Sequence, residues 1–343
     1  MKNAWMRWAA GLVCACALGS AQAQEILLRV HHFLPAHAPA HAQLIVPWCE
    51  KIGKESQGRL KCQIYPTMQL GGTPPQLYDQ VKDGVVDIVW TLPGYTAARF
   101  PLAEVFELPF MMTNAEATSR ALWEYVQKHA AAEFKDVRPL AFHTHGPGYL
   151  HMREKPIRSQ ADFKGQKIRA PTRLTNRLLG TMGATPVGMP VPQVSEALAK
   201  GVIDGAVIPW EVVPAVKVEQ LTRHHTETDP KFPALYTAIF LFAMNSAKYQ
   251  SLPADLRKVI DANSGAELSA WAGRIFQQAD VPGRKLAEER KNQFYMVPAE
   301  ELERWRKTAQ VVADDWVKDM SGKGHDGKAL IESARGLIRQ HTK

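Results

Sequence analysis

Two α/β domains built on one plan and facing each other across a cleft are the architecture this sequence predicts, and three observations carry the prediction. The stretch "PPQLYDQVKDGVVDIVWTLP" (74–93) is echoed by "PVPQVSEALAKGVIDGAVIP" (190–209): Pro75, Gln76, Gly84 and Asp87 match Pro192, Gln193, Gly201 and Asp204 at identical spacing. In each copy Pro-Gln opens a helix, a glycine closes it and a Val-rich strand follows. Proline's missing N–H needs no partner in a first helical turn, and glycine tolerates the left-handed C-cap. Each copy is preceded by a strand of its own, "RLKCQIYP" and "GQKIRAP", so the chain holds two β-α-β halves. Thr73 suits the N-cap of the first copy. Ligands of open α/β sheets sit outside the carboxyl ends of the strands, and two such domains in opposition point those ends into one cleft.

The N-terminus reads as a secretory signal. Lys2 and Arg7 precede an apolar run from Trp8 to Leu18, and Ala21, Gln22 and Ala23 give the small-x-small site for a cut before Gln24. The run is too short for a permanent span, and no later stretch reaches ~18 unbroken apolar residues. Cys14 and Cys16 fall in the removed segment without a lipoprotein-type context. Removing 23 of 343 residues leaves 320, a length that suits two domains.

Taking Lys2 and Arg7 from the 42 basic residues leaves 40 against 34 acids, a net charge of +6. This mildly favours small anionic ligands. The basic residues are scattered among acids, which argues against nucleic acid. Cys49 and Cys62 are either a disulfide of an oxidising compartment or two buried thiols, and their spacing is no metal-site pattern. From Pro253 onward, Leu256, Val259, Ile260, Leu268, Trp271, Ile275 and Phe276 recur at helical spacing, interrupted at Gly265. "VPAEELERWRKTAQVVADDWVKDM" and "GKALIESARGLIRQ" predict two further helices.

Within "GQKIRAPTRLTNRLL" (165–179), Arg169 ends a very short strand two residues before a proline. Its guanidinium cannot be deprotonated, so burial there demands an anionic partner: a structural acid or a bound carboxylate, which the planar fork matches bidentately. Two rival functions rest on other residues. His31, His32, His37 and His41, with His143, His145 and His151, invite a metal-binding reading, although no Cys or paired acid accompanies them at ligand spacing. A hydrolase on the same scaffold is the second, although no G-x-S-x-G elbow, H-E-x-x-H, phosphate-cradling glycine loop or Cys-His pair is present. No cofactor motif occurs.

The chain resembles the extracytoplasmic solute-binding proteins of tripartite ATP-independent periplasmic (TRAP) transporters, DctP type. The motifs are "LRVHHFLPAHAPAH", "GRLKCQIYPTMQLGG", "VKDGVVDIVW", "EVFELPFMM", "DFKGQKIRAP", "KGVIDGAVIP" and "FAMNSAKYQSLPADLRKVI" in this order. The resemblance implies a two-lobed periplasmic binding protein fold, class II-like, with a long helix spanning both lobes and a ligand carboxylate clamped by Arg169. It implies delivery of a small organic acid by a monomer to the small and large permease subunits. A binding protein for an ATP-driven transporter is the nearer alternative. With crossings near 146 and 232 and along the helix after Pro253, the expected division is 24–146 with 233–275 in lobe I and 147–232 with 276–343 in lobe II.

Against better-studied members of that family, polar positions are replaced by apolar ones. Where a second arginine often precedes the KIR motif, "HGPGYLHMR" presents Tyr149, with Arg153 nearby. Ile208, Pro209 and Trp210 stand where Asn-Pro is common, and Trp90, Thr91 and Leu92 stand where a polar or acidic residue often faces ligand. His32 matches the family's first-strand histidine and is the better cleft candidate of the pair, while His41 suits helix packing. A site short of hydrogen-bonding groups selects against polyhydroxylated acids. The expected ligand is an apolar or aromatic monocarboxylate such as a 2-oxo or 2-hydroxy acid, held by Arg169 among Trp90, Thr91, Leu92, Tyr149, Ile208, Trp210 and His32.

Overall fold

The computed structural model describes residues 25–342. The expected signal segment, 1–23, lies outside them. From its start the chain runs through β1 (Ile26–His32), α1 (Val46–Glu55), β2 (Leu60–Tyr65), α2 (Leu77–Lys82), β3 (Ile88–Thr91), α3 (Ala115–Tyr125) and β4 (Val137–Thr144). Next come β5 (Gly148–Met152), β6 (Lys167–Ala170), α4 (Arg173–Met182), β7 (Thr185–Gly188), α5 (Val194–Ala199), β8 (Gly205–Pro209), α6 (Val218–Leu221) and β9 (His224–Glu227). The remainder is β10 (Ile239–Asn245), α7 (Ser246–Ser251), α8 (Ala254–Ala262), α9 (Ala266–Glu289), β11 (Gln293–Met296), α10 (Ala299–Gly322) and α11 (Gly327–His341).

The strands form two sheets, ordered β2-β1-β3-β10-β4 and β11-β9-β5-β8-β6-β7. One plan underlies both. In the first, β1 runs parallel to β2 and β3, and β10 lies antiparallel to β3; in the second, β6 runs parallel to β7 and β8, and β5 lies antiparallel to β8. The sequence echo supplies matching joints. Gly84 and Gly201 both hold φ in the left-handed region, at 75° and 69°. Asp87 accepts a hydrogen bond from the Arg29 backbone N–H at 2.8 Å, and Asp204 accepts from the Lys167 N–H at 2.7 Å. Each echoed aspartate thus ties its strand to the central parallel neighbour, β1 or β6. Thr73 forms a capping box with Gln76.

The chain passes between the sheets after β4, through 145–147, again between β9 and β10, and a third time between β10 and β11 by way of α9, so the first sheet gains β10 and the second gains β11. The expected long helix is two helices, because Gly265 at φ 95° ends the run begun in α8 and opens α9. α9 then spans both lobes. Gly273 lies so close to α3 that a β-carbon would sit 2.3 Å from the Ala115 carbonyl oxygen, and at Gly283 one would sit 2.1 Å from the Trp210 carbonyl oxygen beyond β8. Only glycine permits both approaches. The expected division places all of 276–343 with the second lobe, but α11 packs against α3: Thr342 is hydrogen-bonded to Thr113 at 2.7 Å, and His341 and His129 reach Glu124 and Ser333 at 3.0 and 2.8 Å. The amphipathic face of α11, with Leu330, Ile331, Ala334 and Ile338 buried, finds its apolar partner there rather than on the second sheet.

Cys49 and Cys62 form a disulfide that joins α1 to β2 across 13 residues. A closed loop of this size stabilises the fold by about 3 kcal/mol. The double substitution Cys49→Ser, Cys62→Ser is expected to lower the thermal midpoint by roughly 4–5 °C. Scanning calorimetry of the two proteins checks this, and equal midpoints would show that the crosslink adds nothing.

Candidate functional site

The carboxyl ends of β1, β3, β6 and β8, with the two crossings, close around a small cavity. Phe33 and Leu34 follow β1; Trp90 comes from β3, with Leu92 and Tyr95 after it; Arg169 and Pro171 come from β6 and the turn beyond it. Val191 follows β7; Ile208 and Pro209 end β8, with Glu211 and Val212 beyond. His145 comes from the first crossing and Tyr236, Ala238 and Phe240 from the second and the start of β10.

The aromatic wall is a stack. The Trp90 ring lies nearly parallel to Phe240, with centroids 4.7 Å apart at 10°, and Phe33 lies 4.9 Å from it at 31°. Trp90 Nε1–H donates to His143 Nε2 at 2.8 Å, which fixes the indole plane. Burial holds the His143 pKa down at about 3, so the ring is neutral and its Nδ1–H donates to the Thr144 carbonyl. His145 is held in the same way, its pKa lowered to about 4 by burial and then by the Arg169 charge; Nε2 accepts from the Ala238 N–H at 3.0 Å. A neutral histidine at each point keeps the wall rigid without adding charge.

Arg169 is 2% exposed. Its Nε–H donates to the Met189 carbonyl at 3.0 Å and Nη1 donates to Val207 at 3.2 Å, so the loop after β7 and the neighbouring strand β8 fix the guanidinium plane. Among the described residues no carboxylate forms a salt bridge with it. Two of its five donors meet carbonyls, and the positive charge has no acid to neutralise it. Its field reaches Tyr95, Tyr236 and His145, where burial raises both phenol pKa values and lowers that of the imidazole. Tyr95 is locked in place by accepting the Val191 N–H at 3.0 Å.

Of the sequence candidates, Arg169, Trp90, Leu92 and Ile208 line this cavity. The other four lie elsewhere. His32 turns away to share a hydrogen bond with His41 at 2.9 Å, and the pKa of its ring falls to about 3 through burial and the neighbouring imidazoles. His31 bonds Gln80, leaving Phe33 and Leu34 to reach the cavity instead. Thr91 is buried in β3 opposite Leu241. Tyr149 alternates to the other face of β5, where Glu227, Asp280 and Arg284 act on its phenol. Trp210 is core: its N–H donates to Glu227 at 2.8 Å, its ring stands edge-on to His151 at 4.6 Å, and its carbonyl is covered by α9. Arg153 lies in a separate groove beside Arg223 and Arg290. Sequence reasoning missed Phe33, Tyr95, His145, Glu211, Tyr236 and Phe240. Glu211 had a signal, since it lies two residues past the second echo, whereas Tyr236 and Phe240 enter only by the second crossing and strand β10 inserting beside β3.

Two lobes closed over a small apolar cavity whose arginine has no acidic partner among the described residues have the form of a solute-binding protein. Residues 30–319 match the DctP family, bacterial extracellular solute-binding protein family 7, and the chain belongs to it. A TRAP solute-binding protein from Rhodoferax ferrireducens T118, solved with copurified benzoate, is 55% identical, covers 92% of this chain and 98% of its own, and superposes with a TM-score of 0.91. A marine metagenome TRAP protein specific for aromatic acid ligands, solved with 3-hydroxybenzoate, is 48% identical over 93% and 100% of the two chains, TM-score 0.92. A third, from Bordetella bronchiseptica with bound (R)- and (S)-mandelate, is 30% identical over 92% and 99%, TM-score 0.85. Membership makes the protein periplasmic. Among the described residues no helix is long and apolar enough to cross a membrane.

Buried acids near the crossings make stability depend on pH. Burial raises the pKa of Glu107 to about 8, aided by Glu104, and that of Asp280 to about 8. In the folded protein these groups keep protons that the unfolded chain releases near pH 4, so their contribution is lost as pH rises toward 8. The buried histidines act oppositely, but only below about pH 6.5. Melting temperature is therefore expected to fall between pH 6.5 and 8, and Asp280→Asn to flatten that fall. A profile that rises over this interval would show that these carboxyls are ionised in the folded state.

Proposed function

We propose that the protein captures an aromatic monocarboxylate in this cavity and delivers it to a TRAP permease. The observation that carries the reading is Arg169: a buried guanidinium with no acidic partner among the described residues, opening on a cavity whose other walls are mainly aromatic and aliphatic. A carboxylate supplies the missing counter-charge through two parallel hydrogen bonds, and Trp90, Phe240 and Phe33 offer ring faces and edges to a flat apolar body. A polyhydroxylated acid would lose water from hydroxyls that these walls cannot satisfy. The benzoate, 3-hydroxybenzoate and mandelate held by the similar proteins have the same chemistry.

In this reading the acid enters between separated lobes and pairs with Arg169, and closure about the crossings and α9 buries the ring. The closed monomer is then recognised by the small and large permease subunits. The role is binding without catalysis.

Calorimetric titration with benzoate tests the reading. Arg169→Ala leaves the carboxylate without its counter-ion in a water-poor site, a loss of about 3–5 kcal/mol, or a hundred- to several-thousand-fold in affinity. Arg169→Lys is expected to restore only part of this, because a point charge cannot reproduce the fork. Glucuronate is expected not to bind. Near-native benzoate affinity in a folded Arg169→Ala protein would mean that another group holds the anion.

A further inference from the structure

We propose that Glu211 sets specificity within the aromatic acids by hydrogen-bonding a meta or para ring hydroxyl at the end of the cavity remote from Arg169. The inference rests on the aromatic-acid reading above and narrows it to a substrate class.

Glu211 is a carboxyl group built into an otherwise apolar wall. It is 4% exposed, lines the same cavity as Arg169, and its Oε2 is buried without a hydrogen-bond partner among the described residues. Its backbone is anchored: the Glu211 N–H donates to Asp280 Oδ1 at 2.8 Å, and the preceding carbonyl lies under Gly283 of α9. The anchoring holds the side chain at one place on the wall. A buried carboxyl oxygen with no partner costs free energy unless something in the cavity satisfies it.

The two polar groups are anchored apart. Arg169 is tied to Met189 and to Val207 within β8, whereas Glu211 lies past the end of β8, where its backbone is held by Asp280 of α9. A carboxylate clamped at the arginine end therefore directs the far edge of its ring toward the glutamate end.

Charge decides the form in which Glu211 acts. An ionised carboxylate would repel a second anion inside so small a volume. Burial holds the Glu211 pKa well above the usual carboxylate range, so the group is a neutral acid at neutral pH. A neutral carboxyl both donates and accepts, and so does a phenolic hydroxyl. Benzoate leaves this carboxyl unpaired against its ring. An ortho hydroxyl lies beside the carboxylate, at the wrong end.

Titrating benzoate and 2-, 3- and 4-hydroxybenzoate into the wild-type protein, Glu211→Leu and Glu211→Gln tests the assignment, with unfolding midpoints recorded for each. The wild type is expected to bind 3- or 4-hydroxybenzoate about ten- to a hundredfold more tightly than benzoate, with no such gain for 2-hydroxybenzoate. In Glu211→Leu that ratio is expected to fall to about one. Glu211→Gln keeps an uncharged donor and acceptor, and is expected to retain most of the ratio. A ratio near one in a wild type that binds benzoate overturns the role of Glu211 while leaving the aromatic-acid reading intact. So does a ratio that survives in Glu211→Leu or vanishes in Glu211→Gln. Failure of the wild type to bind any of the four acids overturns the aromatic-acid reading, and this assignment with it.

Discussion

A guanidinium cannot shed its proton, and burying one without a counter-ion is costly; at Arg169 the fold accepts that cost. Two backbone carbonyls, of Met189 and Val207, satisfy part of its hydrogen-bonding capacity, but a carbonyl dipole does not cancel a full charge. Among the described residues no acid does so either. Glu104, the acid beyond the next turn, is taken by Arg173, four residues on from Arg169. Glu227, on the outer side of the second sheet, is taken by Arg284 and the Trp210 indole. The pairing of these acids elsewhere leaves the charge of Arg169 available to a ligand.

The rest of the site follows from keeping that charge dry. Aromatic rings stack around it, and the histidines that brace them are neutral because burial makes their charged forms unfavourable. A cationic imidazole at His143 would lose the acceptor that holds Trp90. Burial likewise raises the carboxyl pKa values of Glu107, Glu211 and Asp280, and of these Glu211 lines the cavity, so that wall carries an acid without its full negative charge. Among the described residues that line the cavity, one positive group thus stands in a wall of apolar and neutral polar side chains.

The long helix α9 ties the two sheets into one mechanical unit. Its two close glycine approaches lie ten residues apart, one on α3 and one on the segment after β8, and Pro282 beside the second removes an intrahelical donor where the helix meets the second lobe. Asp280, one turn earlier, fixes the Glu211 N–H. The helix that couples the lobes therefore also positions one end of the cavity.

Much of this was legible in the sequence because it is local. The echo around Pro75 and Pro192 specifies helix, left-handed glycine and strand through interactions between near neighbours, and the repeat at Asp87 and Asp204 specifies the same joint to a preceding strand in both halves. Arg169 could be named because a charge at a strand end must find an anion, and Trp90, Leu92 and Ile208 because strand ends face the cleft. Trp210, Tyr149, Thr91 and His32 were misplaced by the same rule: proximity to a strand end does not say which face a side chain takes, and that is decided by pleat, register and what covers the other side. Whether Cys49 met Cys62 depended on α1 folding back onto β2. Phe240 and Tyr236 reach the cavity because a strand 150 residues beyond β3 inserts beside it after a second crossing. Local chemistry in the sequence determined the two lobes, their shared plan and the anion-seeking arginine; the choice of walls required long-range pairing, because only the completed sheets decide which faces meet.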